Sequence, residues 1–151
     1  MTPVEPNPDV VIRRLRMMRD ALDTLDGFRG VDVAQLNDDP VARAAVERLL
    51  QVIVGLAFDI KVPRPGWPRP WVVQHRPPET GRRLVFTTWV VEAGVLDEAL
   101  AATLAPSAGL RNVLVHHYVD LRMDLIADAV RTVGDGFPAY ITAVARYLDP
   151  S

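Results

Sequence analysis

The chain has 151 residues, a formal net charge of −2 and 49% hydrophobic residues, so it can bury one domain core and is not a disordered segment. It has no cysteine, which excludes disulfides and thiolate metal sites and is compatible with the cytoplasm. No apolar run reaches the roughly 18 residues of a membrane span, and the N-terminal residues contain no basic, signal-like segment. We therefore expect a cytoplasmic protein that does not enter a membrane.

Apolar residues at helical spacing predict two long helices in the first part of the chain. The first covers about 8–26 and ends at Gly27. The second begins at Asp39 and Pro40, a favourable N-cap and first-turn pair, and continues to about residue 60. The segment of about 61–78 that follows is rich in proline, which predicts a loop.

The rest of the chain predicts further helices. A third helix is expected from Thr80 to Gly94, and a short one from Asp97 to about residue 104. The next begins at Pro106 and should end or bend near Tyr118, while glycines at 134 and 136 should divide the remainder into two helices. These elements predict an all-α antiparallel helical bundle, as a single domain over residues 1–151 with one Pro-rich loop.

The segment 111–118, Arg-Asn-Val-Leu-Val-His-His-Tyr, concentrates polar side chains in an R-x4-H-x-Y pattern. A neutral imidazole can take the proton from an RNA 2′-hydroxyl, and a guanidinium can stabilise the charge that develops on the phosphate. Histidine suits this role because its unperturbed pKa lies near neutrality. Arg111 and His116 together have the chemistry that metal-independent RNA cleavage requires, and Asn112 could position one of the reacting groups, but the cluster by itself indicates only a polar surface on a helical domain. No cofactor or metal is expected.

On an ideal helix at 100° per residue, Arg111 and Tyr118 lie close together, whereas Arg111 and His116 are about 140° apart. One straight helix therefore does not direct both at a single phosphate. Either the helix unwinds near His116, or a second copy of the motif completes the site across a two-fold dimer. The neighbouring histidine, His117, points away from the side of the helix that carries Arg111, His116 and Tyr118. It is expected to be a packing or surface residue.

Three groups of residues resemble signatures of the HepT branch of the HEPN ribonucleases. The first is Glu47-Arg48-x-Leu50-Gln51 with Asp59-Ile60. The second is Pro77-Pro78-Glu79-Thr80 with Glu92-Ala93-Gly94-Val95-Leu96-Asp97. The third, around the motif, is Ala108-Gly109-Leu110-Arg111-Asn112-x-Leu114-Val115-His116. These matches are spaced along nearly the whole chain.

The resemblance implies a HEPN-type helical bundle that acts as the ribonuclease toxin of a HepT/MntA toxin–antitoxin pair. In that family Arg111 and His116 would be the catalytic pair, Asn112 the polar residue beside the arginine, and the active form a homodimer. Tyr118 would be the regulatory tyrosine, to which an MntA-type nucleotidyltransferase antitoxin attaches AMP. A phosphodiester there would add negative charge and fill the cleft beside Arg111.

Two further groups are candidates for secondary roles. A polar network that supports the cleft would consist of Glu47, Gln51 and Asp59. We expect its role to be mainly structural. Trp67, Arg69 and Trp71 lie in the Pro-rich loop and would stack on RNA bases, contact a protein partner or simply cover an apolar face.

Other functions remain open at this point. One alternative is a catalytically silent helical dimer that only binds a nucleotidyltransferase partner. In that case Arg111 and His116 belong to an interhelical hydrogen-bond network. A plain nucleic-acid-binding bundle is less consistent with the negative net charge.

Overall fold

The computed structural model describes residues 7–60, 94–116 and 122–149. Within these ranges the chain is helical and contains no strand, which confirms the predicted all-α bundle; the helices are α1 (Pro8–Asp26), α2 (Val33–Asp38), α3 (Pro40–Asp59), α4 (Glu98–Leu104), α5 (Pro106–His116) and α6 (Met123–Leu148). None of these helices is long and apolar enough to cross a membrane. The predicted loop at about 61–78 and the body of the helix expected from Thr80 lie outside the described residues.

Side chains set the starts of three helices. Asn7, Asp39 and Asp97 each accept hydrogen bonds from backbone N–H groups in the first turn of α1, α3 and α4, at 2.7–3.1 Å. Such caps satisfy donors that have no partner inside the helix, and each contributes about 1 kcal/mol. The starts predicted at Asp39 and Asp97 are therefore confirmed, together with their physical cause.

The short helix α2 was not predicted. It is opened by a capping box in which Asp32 and Gln35 exchange hydrogen bonds with each other's backbone N–H groups at 2.8 and 2.9 Å. Leu36 is its one buried residue. Six residues with a single buried side chain give no periodicity to detect, so the capping box was the only local signal.

The core is built around α3 and α6. Helix α3 packs against α1, α2, α5 and α6, and α6 packs against all the other helices. Burying a large apolar side chain contributes about 1.5–3 kcal/mol. The largest fully buried side chains are Phe137, Met18, Leu25, Leu36, Leu50, Ile53, Leu104, Leu114 and Ile126. The motif helix α5 is thus supported from below by α3, α4 and α6.

The predicted division at Gly134 and Gly136 is wrong, because α6 is continuous from Met123 to Leu148. A Cβ on Gly136 would lie 2.9 Å from Leu104 Cδ2, so this glycine lets α6 approach α4 rather than ending the helix. Each helix-interior glycine costs about 1 kcal/mol, and the interior Pro138 about 3 kcal/mol. The apolar stripe that α6 buries on both sides of these residues outweighs that local cost.

Candidate active site

Helix α5 presents the motif at its outer edge. Ser107 and Leu114 are buried and face the core, whereas Arg111 is half-buried and Asn112 is exposed. Of the two motif residues whose polar side chains are described, Arg111 therefore lies at the border of the core and Asn112 on the accessible surface. A guanidinium carries five N–H donors in a planar fork, a geometry that suits carboxylate and phosphate oxygens.

The Arg111 guanidinium lies over an aromatic ring. Its central carbon is 5.3 Å from the centroid of the Phe58 ring, which belongs to the last turn of α3. This distance is within the range of a cation–π interaction. Phe58 was absent from the residues predicted from sequence, because a half-buried phenylalanine in an apolar helix carries no polar signal. Its spacing of seven residues from Gln51, on the same face of α3, was the available clue.

Gln51 connects α3 to the backbone of the motif helix. Its Nε2 donates to the carbonyl oxygen of Leu114 at 3.1 Å, in a partly buried position. This bond ties the end of the described part of α5 to α3, in a position where polar groups need partners. Gln51 of α3 contacts Leu114 of α5, and Phe58, which comes later in α3, contacts Arg111, which comes earlier in α5. The two helices therefore run antiparallel at this contact.

Glu47 and Asp59 lie on α3 but are engaged differently from Gln51. The Glu47 carboxylate is 3.9 Å from the Arg43 side chain of its own helix. The Asp59 side chain is exposed, and its backbone carbonyl accepts a hydrogen bond from the Arg14 guanidinium of α1. Among the described contacts, the three predicted supporting residues are therefore not joined into one network, and Gln51 is the one that touches α5.

Several predicted site residues lie outside the description. His116 is the last residue of α5, but its side chain is not described, and Tyr118 falls in the gap between α5 and α6. Trp67, Arg69 and Trp71 also lie outside the described residues. Their roles stay predictions.

The start of α6 carries an ion pair near the motif in sequence. The Arg122 guanidinium is 2.6 Å from the Asp124 carboxylate, and both are exposed. The hydrogen bond from Arg122 lowers the pKa of the Asp124 carboxyl below its ordinary value. The charge of Arg122 is thus offset locally. Within the described ranges, no three His, Asp or Glu side chains are grouped so that they could hold a metal ion.

Comparison with known proteins gives the family. The profile of the family described as Ribonuclease HepT-like matches residues 18–144, which include α3 and α5. The chain is also similar to the curated protein tRNA nuclease HepT of Aphanizomenon flos-aquae (strain 2012/KM1/D3). The two are 28% identical over 151 residues, covering 98% of this chain and 95% of the relative. Because the family match extends over most of the sequence, the chain belongs to the HepT-like ribonuclease family.

Proposed function

We propose that this protein is a metal-independent endoribonuclease in which Arg111 and His116 are the catalytic pair and Asn112 assists them. The observation that carries the proposal is the placement of Arg111, half-buried over the Phe58 ring beside the exposed Asn112, on the helix that ends at His116. Family membership supports RNA as the substrate. Because the similar protein of Aphanizomenon flos-aquae is a tRNA nuclease, tRNA is the first RNA to test.

The proposed reaction uses a nucleophile that RNA itself supplies. His116 takes the proton of the 2′-hydroxyl, and O2′ forms a bond to the adjacent phosphorus. Arg111 stabilises the negative charge on the phosphorane oxygens. The bond from phosphorus to O5′ then breaks, and the departing 5′-oxygen takes up a proton. The products are a 2′,3′-cyclic phosphate and a free 5′-hydroxyl, and no step requires a metal ion.

The proposed site is shared between two copies of the chain. At ideal helical spacing Arg111 and His116 diverge by about 140°, so a two-fold dimer of α5 faces would pair each arginine with the histidine of the other chain. The exposure of Asn112, between them on that face, supports an accessible surface there. The alternative is local unwinding of the helix at His116.

Control by modification completes the proposal. The protein would be the toxin of a toxin–antitoxin pair in the cytoplasm, with residues 1–151 as one HepT-like domain. An MntA-type nucleotidyltransferase would transfer AMP to the Tyr118 hydroxyl, with pyrophosphate leaving from ATP. The added phosphodiester would compete with RNA for Arg111.

One experiment tests the chemistry. Purified protein is incubated with total tRNA in EDTA, beside His116→Ala, and the new 3′ ends are identified. Cyclic phosphate ends that form with wild type and not with His116→Ala are expected. A requirement for magnesium would contradict the mechanism, and intact RNA would favour the silent binding partner.

A second experiment tests the control. Co-expression with the cognate nucleotidyltransferase should add about 329 Da per AMP, the mass fixed by the covalent change. Peptide mapping should place the addition on Tyr118. Tyr118→Phe should remain active and resist neutralisation, because the phenol takes part in neither proton transfer. Complete neutralisation of Tyr118→Phe would show that the antitoxin acts elsewhere.

A further inference from the structure

The partner of Arg111 in the described fold is an aromatic ring rather than an acid. The Arg111 side chain lies 5.3 Å from the Phe58 ring centroid, and no carboxylate pairs with it in the part of the chain that the structure describes. Other arginines of the fold do pair with acids, as Arg122 does with Asp124 and Arg131 with Asp128. The environment of Arg111 therefore differs in kind from that of these surface arginines.

The difference matters for binding an anion. A carboxylate would occupy the fork of N–H donors that a phosphate also needs, whereas a ring contacts the flat face of the guanidinium and leaves the donors at its edge free. A free arginine side chain also carries about 2 kcal/mol of rotamer entropy. A ring that restricts the guanidinium in advance reduces the entropy lost when phosphate binds.

Phe58 itself is held by the core. It lies between Ala57 and Ile60, which are both buried, in the last turn of α3. The Tyr140 hydroxyl of α6 donates to the Ala57 carbonyl at 3.4 Å, and the Arg14 guanidinium donates to the Asp59 carbonyl. Both bonds hold the backbone of this turn. Gln51, on the same face of α3, holds the backbone of α5. The Phe58 ring and the Arg111 guanidinium therefore belong to two helices, α3 and α5, that a hydrogen bond holds in a fixed relative position.

We propose that Phe58 is a positioning residue, whose ring orients the Arg111 guanidinium toward the scissile phosphate while leaving its hydrogen-bond donors free. This inference rests on the proposed catalytic role of Arg111. It concerns the transition state more than substrate binding, because the phosphate charge that Arg111 stabilises grows during the reaction. Removal of the ring should therefore lower kcat and leave KM nearly unchanged.

The kinetic test compares rings with an aliphatic side chain at position 58, using labelled total tRNA and the full-length protein. Phe58→Leu keeps most of the apolar volume and should lower kcat roughly 3- to 10-fold, the scale of a partly desolvated cation–π contact. Phe58→Tyr and Phe58→Trp keep an aromatic face and should restore kcat to within about twofold of wild type. The matched control is Phe28→Leu, another half-buried phenylalanine packed on the core, which should leave kcat unchanged.

A second comparison separates the electrostatics of the ring from its shape. Incorporating pentafluorophenylalanine at position 58 preserves the ring outline and reverses its quadrupole. We expect it to lower kcat as Phe58→Leu does, with little change in Tm. The result also holds if Phe58→Leu fails to fold, since the fluorinated ring fills the same space. Equal kcat for the fluorinated and natural rings would overturn the inference.

A third measurement does not depend on cleavage. The Arg111 Nε–Hε resonance, assigned with Arg111→Lys, should be shifted upfield by the ring current and should return toward the shift of exposed arginines in Phe58→Leu. An unchanged resonance would overturn the inference. Arg111→Ala in the same cleavage assay distinguishes the two proposals. Full activity of Arg111→Ala would defeat the proposed site and this inference together. Loss of activity in Arg111→Ala with wild-type kcat in Phe58→Leu would defeat only the role of Phe58.

Discussion

The helices α5 and α6 are adjacent in the chain but are held in the fold in different ways. Helix α6 buries residues along its whole length, from Met123 to Val144, and packs against every other described helix. Helix α5 buries Ser107 and Leu114 among its described side chains and is otherwise half-exposed or exposed. Its link to α3 includes a hydrogen bond from Gln51 and the contact between Phe58 and Arg111.

This difference separates stability from chemistry. Apolar burial along α6 supplies folding free energy in proportion to the apolar area that is buried. The helix can therefore contain a locally unfavourable residue such as Pro138. The described polar residues of α5 contribute little burial, but in the proposed site their orientation determines how RNA is bound. We therefore expect substitutions in α6 to change stability and substitutions in α5 to change activity, and four predictions test that separation.

The largest effect is expected for Phe137→Ala. Phe137 is fully buried, and its ring centroid is 5.6 Å from that of Tyr140. Truncation of such a residue costs about 3–5 kcal/mol, a large share of the stability of a single domain. Urea unfolding followed by circular dichroism should show this loss. A change below about 1 kcal/mol would mean that α6 is not the main source of stability.

The next effect concerns activity alone. Arg111→Ala and His116→Ala should each reduce RNA cleavage on the order of 10²-fold or more, since each removes a group proposed to act on the transition state. Arg111→Ala should change the free energy of unfolding by less than about 1 kcal/mol, because it loses one partly exposed contact. Arg131→Ala, which removes an exposed, ion-paired arginine of α6, is the matched control and should cleave RNA like wild type. An equal loss of RNA cleavage in Arg131→Ala would show that activity is not specific to the residues of α5.

A smaller effect, on both stability and activity, is expected from a substitution in α3 at its contact with α5. Gln51→Leu removes the donor to the Leu114 carbonyl in a partly buried place. The cost should be about 1–2 kcal/mol in unfolding free energy. Because α5 loses one of its attachments, kcat should also fall by several-fold, roughly 3- to 10-fold. Glu47→Gln, one turn earlier and paired only within α3, should change neither quantity.

The smallest effect concerns the exposed pair at the start of α6. Arg122 lowers the pKa of the Asp124 carboxyl, first through its hydrogen bond. Because the folded-state pKa is depressed, any stabilisation by the pair is present at neutral pH and is lost as the pH falls through the pKa of folded Asp124. Both side chains are exposed, so this contribution is too small to measure. Arg122→Gln should raise that pKa toward its ordinary value in an NMR titration, with no measurable loss of stability at neutral pH. An unchanged titration would mean that the pair does not form in solution.

What the sequence could predict depended on whether a signal was local. The starts of α3 and α4 followed from residues at their first turns, Asp39 with Pro40 and Asp97, and the extent of α1 followed from its apolar spacing. The continuity of α6 did not follow, because the tight approach of Gly136 to Leu104 involves residues far apart in the chain. A glycine that breaks a helix and one that admits a neighbouring helix look the same in sequence.

The site divides in the same way. Arg111, His116 and Asn112 were predicted because their pattern on one helix stands among further residues that resemble the HepT signatures. Phe58 was not predicted, because its relevance arises only when α3 places its ring beside Arg111. Gln51 was identified from the family signature, but its partner, a backbone carbonyl of α5, required the structure.

Asp39 has a consequence for where this chain can be opened. Its N–H donates to the Gln35 carbonyl at the end of α2, while its carboxylate accepts from the first turn of α3, so one residue forms the whole joint. An inserted label or new chain terminus there would uncap two helices together. The turn at Gly27–Gly30 is different, because no described atom lies within 4 Å of where a side chain on Gly30 would begin. The φ of 84° at Gly30 strains any residue that replaces this glycine, so an insertion should leave Gly30 in place. That turn is the better place for an inserted peptide tag between α1 and α2.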